Sequence, residues 1–140
     1  MKTTQKIASS LLVAAVIAVV FLFGNLAQAQ VQAKAKPWPV PDKDKAMKAP
    51  ANVDIATGKD LWAKHCKSCH GAKGLGDGVK AAALKTFPGD FSGAAFQSST
   101  DGELLYRTDK GRDEMPKYET KIPAIGDRWA LIGFMRTLKK

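Results

Sequence analysis

The sequence predicts an all-α domain, and two observations carry this prediction. Apolar residues recur at helical spacing around Leu61 and again around Leu131, which is typical of helices with one buried face. No stretch alternates apolar and polar residues with a period of two, as a half-buried strand would. With 140 residues the chain is long enough for one small domain, and its pattern predicts about four helices.

The first predicted helix follows Asp54, whose side chain suits the N-cap position. Four residues at i, i+3, i+4 and i+7 share one face of this helix: Gly58, Leu61, Trp62 and His65. The helix is expected to end in the turn formed by residues 66–71.

Two helices are predicted in the middle of the chain. A short alanine-rich helix is expected over 79–85, and Phe87-Pro88-Gly89 would stop it. Thr100 and Glu103 have the spacing of a capping box at the start of the next helix, and Gly111 is a fitting C-terminal stop.

The last predicted helix begins between Pro123 and Asp127 and runs to about Leu138. Its apolar face combines residues at helical spacing with two that widen the face: Leu131, Phe134, Met135 and Leu138, with Trp129 and Ile132. Lys139 and Lys140 follow the helix, and their positive charges interact favourably with the negative C-terminal end of its dipole.

Residues 1–29 have the three parts of a secretory signal: a basic start, an apolar run over 7–23 and the small-residue triplet Ala27-Gln28-Ala29. The apolar stretch 7–27 has 21 residues, close to the roughly 20 that span a bilayer as a helix. Cleavage after Ala29 and retention as an N-terminal membrane anchor are therefore both open. In either case the rest of the chain is expected outside the cytoplasm, in the periplasm.

Residues 30–53 are rich in proline and lysine and are predicted to form a semi-rigid linker before a domain over 54–140. Without residues 1–29 the chain keeps 20 basic and 13 acidic residues, a net charge of +7. Such a charge suits an acidic protein partner or an anionic membrane face, or it only keeps the domain soluble. Nucleic acid is not an expected partner outside the cytoplasm.

The strongest chemical signal is Cys66-Lys-Ser-Cys69-His70, which has the C-x-x-C-H form of covalent c-type haem attachment. Two thiols one helical turn apart can each form a thioether to the porphyrin, and His70 then reaches the iron. A thioredoxin-like pair would need a βαβ setting. A zinc site that adds His65 is disfavoured, because each histidine would adjoin a cysteine, whereas zinc ligands normally form two separated pairs. A disulfide leaves His70 without a role.

The second axial ligand of the iron has four candidates: Met47, Met115, Met135 and His65. His65 is tied beside Cys66, Met47 lies in the predicted linker, and Met135 fits the apolar face of the last helix. Met115 lies in a loop before Pro116, and its thioether would favour reduced iron. We predict Met115 as the ligand; the alternative is that Met115 only fills space in the core.

Two neighbouring segments have weaker signals. The carbonyl of Pro88 is the best candidate to orient the imidazole of His70, although Pro88 is equally suited to be a simple helix stop. The three glycines in 74–78 match a phosphate loop poorly, because no strand precedes them. A flexible loop beside the haem accounts for them better.

From about Asp54 to Leu138 the chain resembles the class I cytochromes c, which are small single-haem carriers. The matching positions are Gly58 and Trp62 in the N-terminal helix, Leu131 and Phe134 in the C-terminal helix, Cys66, Cys69 and His70 in the haem motif, and Met115-Pro116 in the axial methionine loop. The resemblance implies a cytochrome c-like fold in which the N- and C-terminal helices cross closely. Phe134 replaces the commoner tyrosine, and 30–53 has no counterpart in the minimal carriers.

The resemblance implies a one-electron carrier rather than an enzyme, with one haem c ligated by His70 and Met115. Lys64, Lys67 and Lys73 lie near the motif and would steer an acidic redox partner. Three alternatives stay open: a haem c subunit of a larger oxidoreductase complex, an enzyme or gas sensor with a labile sixth site, and a disulfide-stabilised binding domain without haem.

Overall fold

The computed structural model describes residues 38–140, and within this range it has six α-helices and no β-strand. In chain order they are α1 Asp42–Lys45, α2 Ile55–His65, α3 Lys67–His70, α4 Ala94–Gln97, α5 Asp101–Lys110 and α6 Ile125–Thr137, with a 3₁₀ turn at Ala81–Ala83. The predicted all-α class is confirmed. The predicted export segment 1–29 lies outside the described residues. Among those described, no helix is long and apolar enough to cross a membrane.

Helix α2 begins where the sequence predicts. The Asp54 carboxylate accepts hydrogen bonds from the amides of Ala56 at 2.9 Å and Thr57 at 3.2 Å. The Thr57 hydroxyl also donates to it at 2.8 Å, and this bond is the main reason why the pKa of Asp54 is lowered. The cap satisfies amides that the first turn of a helix leaves without partners.

Helices α2 and α6 cross at Gly58. A β-carbon at this position would overlap the Ala130 carbonyl and lie 3.0 Å from the β-carbon of Phe134, so only glycine permits the approach. This is the contact that the family resemblance implied. The core draws on α2, α5, α6 and the loops between them, and its most deeply buried members are Trp62, Leu104, Ile122, Ala130, Leu131 and Ile132.

Helix α5 has the predicted capping box. The Thr100 hydroxyl accepts from the Glu103 amide at 3.1 Å, and the Glu103 carboxylate accepts from the Thr100 amide at 2.8 Å. Gly111 ends the helix with a φ of 58°, a left-handed conformation that glycine adopts without strain.

The predicted helix over 79–85 is reduced to the 3₁₀ turn Ala81–Ala83. The stretch is too short to be stable through local hydrogen bonds alone, so it would need an apolar face packed on the domain. It has two large apolar residues, of which Val79 is 92% exposed and Leu84 is only partly buried, so the stretch has no such face.

Residues 38–53, the described part of the predicted linker, pack on the helical domain. Val40 is 6% exposed, and Gly102 lacks a side chain where the backbone of Asp44 and Met47 approaches α5. The Thr100 hydroxyl donates to the Lys45 carbonyl at 2.9 Å. The segment therefore lies against α5, while the division of the chain at residues 29 and 53 stays a prediction.

Candidate haem site

The motif Cys66–His70 consists of the cap residue Cys66, which follows α2, and the single-turn helix α3. The Cys66 amide donates to the Trp62 carbonyl at 2.9 Å, and the His70 amide donates to the Cys66 carbonyl at 2.9 Å. Cys66, Cys69 and His70 therefore come together within one turn. No disulfide joins the two cysteines, and burial, with a smaller effect of Cys69, raises the pKa of the Cys66 thiol to about 12.

A glycine-rich loop braces α3. Three loop amides donate to three successive carbonyls of α3: Gly76 to His70 at 2.9 Å, Gly78 to Cys69 at 3.2 Å and Lys80 to Ser68 at 2.8 Å. A β-carbon at Gly78 would lie 2.6 Å from the carbonyl carbons of Ser68 and Cys69, so glycine allows the loop this close. The loop thus has a structural task, since it satisfies carbonyls that a helix end leaves open.

The imidazole of His70 lies among aromatic rings. Its centroid is 4.7 Å from that of Phe91 and 5.8 Å from that of Trp62, whose indole Nε1 donates to the Gly71 carbonyl at 3.0 Å. Burial lowers the pKa of His70, and the Pro88 carbonyl opposes this shift by raising it. Burial therefore favours the neutral imidazole, which is the form that binds a metal.

The residues present fit a covalently bound haem. Nδ1 of His70 is buried without a well-formed hydrogen bond, although the Pro88 carbonyl is close enough to affect the pKa of the ring. With Nδ1 turned into the protein, Nε2 is the nitrogen left for iron. The same turn presents two free thiols, and a thioether is available from Met115, so the donor set matches a haem c site.

Met115 lies in a tight turn after α5. Its amide donates to the Arg112 carbonyl at 2.8 Å, and its carbonyl accepts from the Arg112 amide at 3.0 Å. The side chain is partly buried against the hydrophobic cluster that contains Cys66. By contrast, Met47 is 40% exposed, and Met135 is 3% exposed within the core.

His65 lies beside Tyr118. The Tyr118 hydroxyl donates to the His65 carbonyl at 2.8 Å, and the two rings meet edge to face at 5.9 Å. Burial raises the pKa of Tyr118 to about 12. Sequence reasoning missed Tyr118, because it lies in a loop without periodicity. The site-residue assignments to Cys66, Cys69, His70 and Met115 stay predictions.

The helical fold and this site define a single-haem c-type cytochrome domain. A family model described as "Cytochrome C oxidase, cbb3-type, subunit III" matches residues 53–135, more than half of the chain, and the protein belongs to this family. It therefore carries haem c, with its iron, as a covalent cofactor.

Comparison with solved structures found a similar fold in a chain of the Kuenenia stuttgartiensis reducing HAO-like protein complex. The TM-score is 0.56, with 23% sequence identity, over 79% of this chain and 55% of that one. The chain thus spans about half the length of that relative, and the likeness concerns the fold alone. Comparison with curated proteins found no match.

Proposed function

We propose that the protein is a one-electron carrier of the periplasm, in which Cys66 and Cys69 attach the haem and His70 and Met115 ligate its iron. At the coarser level, the family membership indicates haem-based electron transfer. The observation that carries the finer proposal is the braced turn Cys66–His70, which brings two cysteines and a buried imidazole together.

The residues of the chain divide the work at this site. Cys66 and Cys69 hold the porphyrin edge, and the glycine loop 74–78 holds α3 through its carbonyls. Trp62 and Phe91 keep water from one side of His70. When bound, haem supplies a one-electron couple between ferric and ferrous iron, and a thioether ligand raises its potential.

Replacement of the axial residues tests the ligand assignment. In Met115→Leu, we expect loss of the sulfur-to-iron charge-transfer band, a lower reduction potential and prompt binding of carbon monoxide to the ferrous protein. Met47→Leu serves as the control, since this exposed methionine should change none of these. A wild-type protein that already binds carbon monoxide as promptly as Met115→Leu would instead indicate an open or labile sixth site.

The mass of the mature protein tests attachment and export together. We expect the mass of a chain with one haem added, and an N-terminus that reports whether the segment 1–29 is removed. The Cys66→Ala/Cys69→Ala variant should lose the covalent haem, since these are the only cysteines in the sequence. A colourless wild-type protein made with haem-maturation machinery would contradict the proposal.

The lysines around α3 support an acidic redox partner. Lys64, Lys67 and Lys73 are all exposed and lie on α2, α3 and the turn that follows. Charge reversal of all three should slow electron transfer to an acidic partner and weaken its dependence on salt. Reversal of Lys48, Lys59 and Lys139, which are also exposed, is the matched control. Equal effects of the two sets would exclude steering by the first.

The second candidate function is a haem c subunit of a larger oxidoreductase. It is favoured by the family description, which names an oxidase subunit, and by the similar chain, which comes from a protein complex. Co-purification of stoichiometric partners from native membranes would support the subunit, whereas purification as a lone haem protein would support the carrier.

A further inference from the structure

Glu114, the residue before Met115, connects two loops that are distant in the sequence. Its carboxylate accepts hydrogen bonds from the Lys85 amide at 2.9 and 3.1 Å and from the Thr86 amide at 3.2 Å. One side chain thus binds two successive backbone N–H groups, and both oxygens take part. Hydrogen bonds to a charged acceptor are stronger than those between neutral groups.

The two loops that Glu114 connects lie next to the two proposed axial ligands of the haem iron. On one side, Glu114 shares its peptide bond with Met115. On the other, Thr86 lies two residues before Pro88, whose carbonyl acts on the imidazole of His70. The Glu114 carboxylate therefore joins the loop of the proposed sixth ligand to the loop beside the fifth.

The loop of Met115 also meets the domain at its two ends: the Arg112 guanidinium lies 4.4 Å from the Trp38 ring centroid, and the Tyr118 hydroxyl donates to the His65 carbonyl at 2.8 Å. Asp113, Glu114, Pro116 and Lys117 are exposed, and Asp113 has a φ of 51°, which a residue other than glycine rarely adopts. The backbone pairing of Met115 with Arg112 fixes the turn internally, and the Glu114 carboxylate ties the turn to the loop 85–88.

We propose that Glu114 is a positioning residue that holds the methionine loop against the loop 85–88 and thereby keeps Met115 on the iron. The inference rests on the proposed ligation by Met115. Without the carboxylate, the loop gains conformational freedom, and the thioether leaves the iron more often. Glu114 itself touches neither haem nor partner in this role.

The variants follow from the geometry. Glu114→Gln keeps the size of the side chain but replaces one acceptor oxygen by an NH₂ group that cannot accept from an amide. Glu114→Asp keeps the charge but shortens the reach by one methylene. Glu119→Gln is the matched control, because the Glu119 carboxylate pairs with Lys110 at 2.8 Å on the surface.

The experiment measures carbon monoxide binding to the ferrous holoprotein, a reaction that requires Met115 to leave. We expect binding about tenfold faster in E114Q than in wild type, since the loss of one charged hydrogen bond corresponds to about that factor. We also expect faster hydrogen exchange at the Lys85 and Thr86 amides. E114D should lie between the two, and E119Q should equal wild type.

The outcomes separate this inference from the proposed function. If M115L binds carbon monoxide faster than wild type but E114Q does not, the ligand assignment stands and the role of Glu114 is wrong. The same holds if amide exchange accelerates in E114Q while ligand binding is unchanged, because the contact is then structural only. If M115L and wild type bind equally fast, the ligation by Met115 fails, and the positioning role fails with it.

Discussion

The Thr100 hydroxyl makes two hydrogen bonds with different consequences. It accepts from the Glu103 amide and so caps α5, as the spacing of the two residues predicts. It also donates to the Lys45 carbonyl and so attaches α1, a contact across 55 residues. The first bond is local and readable from the sequence, whereas the second depends on the folded chain.

Replacement of this hydroxyl should be measurable. In Thr100→Ala, we expect the free energy of unfolding to fall by about 1–2 kcal/mol, because a cap and a tertiary hydrogen bond are both lost. Thr100→Ser keeps the hydroxyl and should stay close to wild type. Denaturant unfolding of the holoprotein measures both, and equal loss in the two variants would point to the methyl group instead.

Asp54 should make the free energy of unfolding depend on pH in the acidic range. The hydrogen bond from the Thr57 hydroxyl is the first cause that holds the pKa of Asp54 below its ordinary value of 3.8. A lowered folded pKa stabilises the fold above pH 3.8, and this contribution is lost as the pH falls through the folded pKa. As the pH falls below 3.8, Asp54→Asn should lose less unfolding free energy than wild type, because the asparagine side chain does not titrate. Parallel pH profiles of unfolding in the two proteins would contradict this.

At the scale of elements, the contact between α2 and α6 depends on one glycine. Gly58 allows the Ala130 carbonyl to approach α2, and the Trp62 and Phe134 rings meet at 5.8 Å beside it. This crossing places the C-terminal end of α2, and thus α3, against the core. The position of the haem motif therefore depends on how two helices pack.

Gly58→Ala should destabilise the protein, because the added methyl group would overlap backbone atoms that cannot move aside cheaply. We expect a loss of about 1–3 kcal/mol, despite the better helix propensity of alanine. Gly126→Ala is the control, since a β-carbon there meets nothing within 4 Å. It should be neutral or slightly stabilising in thermal unfolding. Equal behaviour of the two variants would refute the packing argument.

Arg128 links α6 to the segment that follows the methionine loop. Its guanidinium donates to the carbonyls of Glu119 at 3.1 Å and Ile122 at 3.0 Å. Nε lies 3.1 Å from a carboxylate oxygen of Asp109, an ion pair whose angle does not make it a hydrogen bond. Burial raises the pKa of Asp109, and Arg128 opposes that shift.

Arg128→Leu should therefore cost about 3–5 kcal/mol of unfolding free energy, because a buried carboxylate loses its partner. The pKa of Asp109 should rise further, and a raised folded pKa means stability lost as the pH rises through it. We expect Asp109→Asn in the same chain to remove this added loss, which sets in as the pH rises above 3.8. Urea unfolding across pH measures the effect; a pH profile like that of wild type would contradict it.

At the scale of the whole molecule, residues 38–53 extend the helical domain beyond the predicted start at Asp54. Val40 is buried, Ala49 and Val53 pack against the core, and the guanidinium of Arg112 lies 4.4 Å from the Trp38 ring centroid. Since Arg112 also pairs with Met115 through the backbone, this segment reaches the loop of the proposed ligand.

A chain that begins at residue 54 should thus be less stable than one that begins at residue 38. We expect a difference of about 2–4 kcal/mol from the apolar area lost, and a lower thermal midpoint of the holoprotein. Val40→Ala in the longer chain should lower the thermal midpoint by part of this difference. Equal midpoints for the two lengths would show that 38–53 adds nothing to the domain.

The amino-acid sequence alone specified the features whose causes act within one or two helical turns. The caps at Asp54 and Thr100, the ends of α5 and α6 and the one-turn spacing of Cys66, Cys69 and His70 all belong to this group. Hydrogen bonds and side-chain spacing of this kind depend on neighbouring residues, so a linear reading recovers them.

Only the tertiary structure decided the contacts between distant segments. The glycine loop braces α3, Arg128 fastens the segment after Met115, Glu114 meets Lys85 and Thr86, and the proline-rich residues 38–53 pack on α5. The failure of 79–85 to form a full helix belongs here as well. Each outcome depends on which surfaces meet when the chain packs, and no local pattern encodes that.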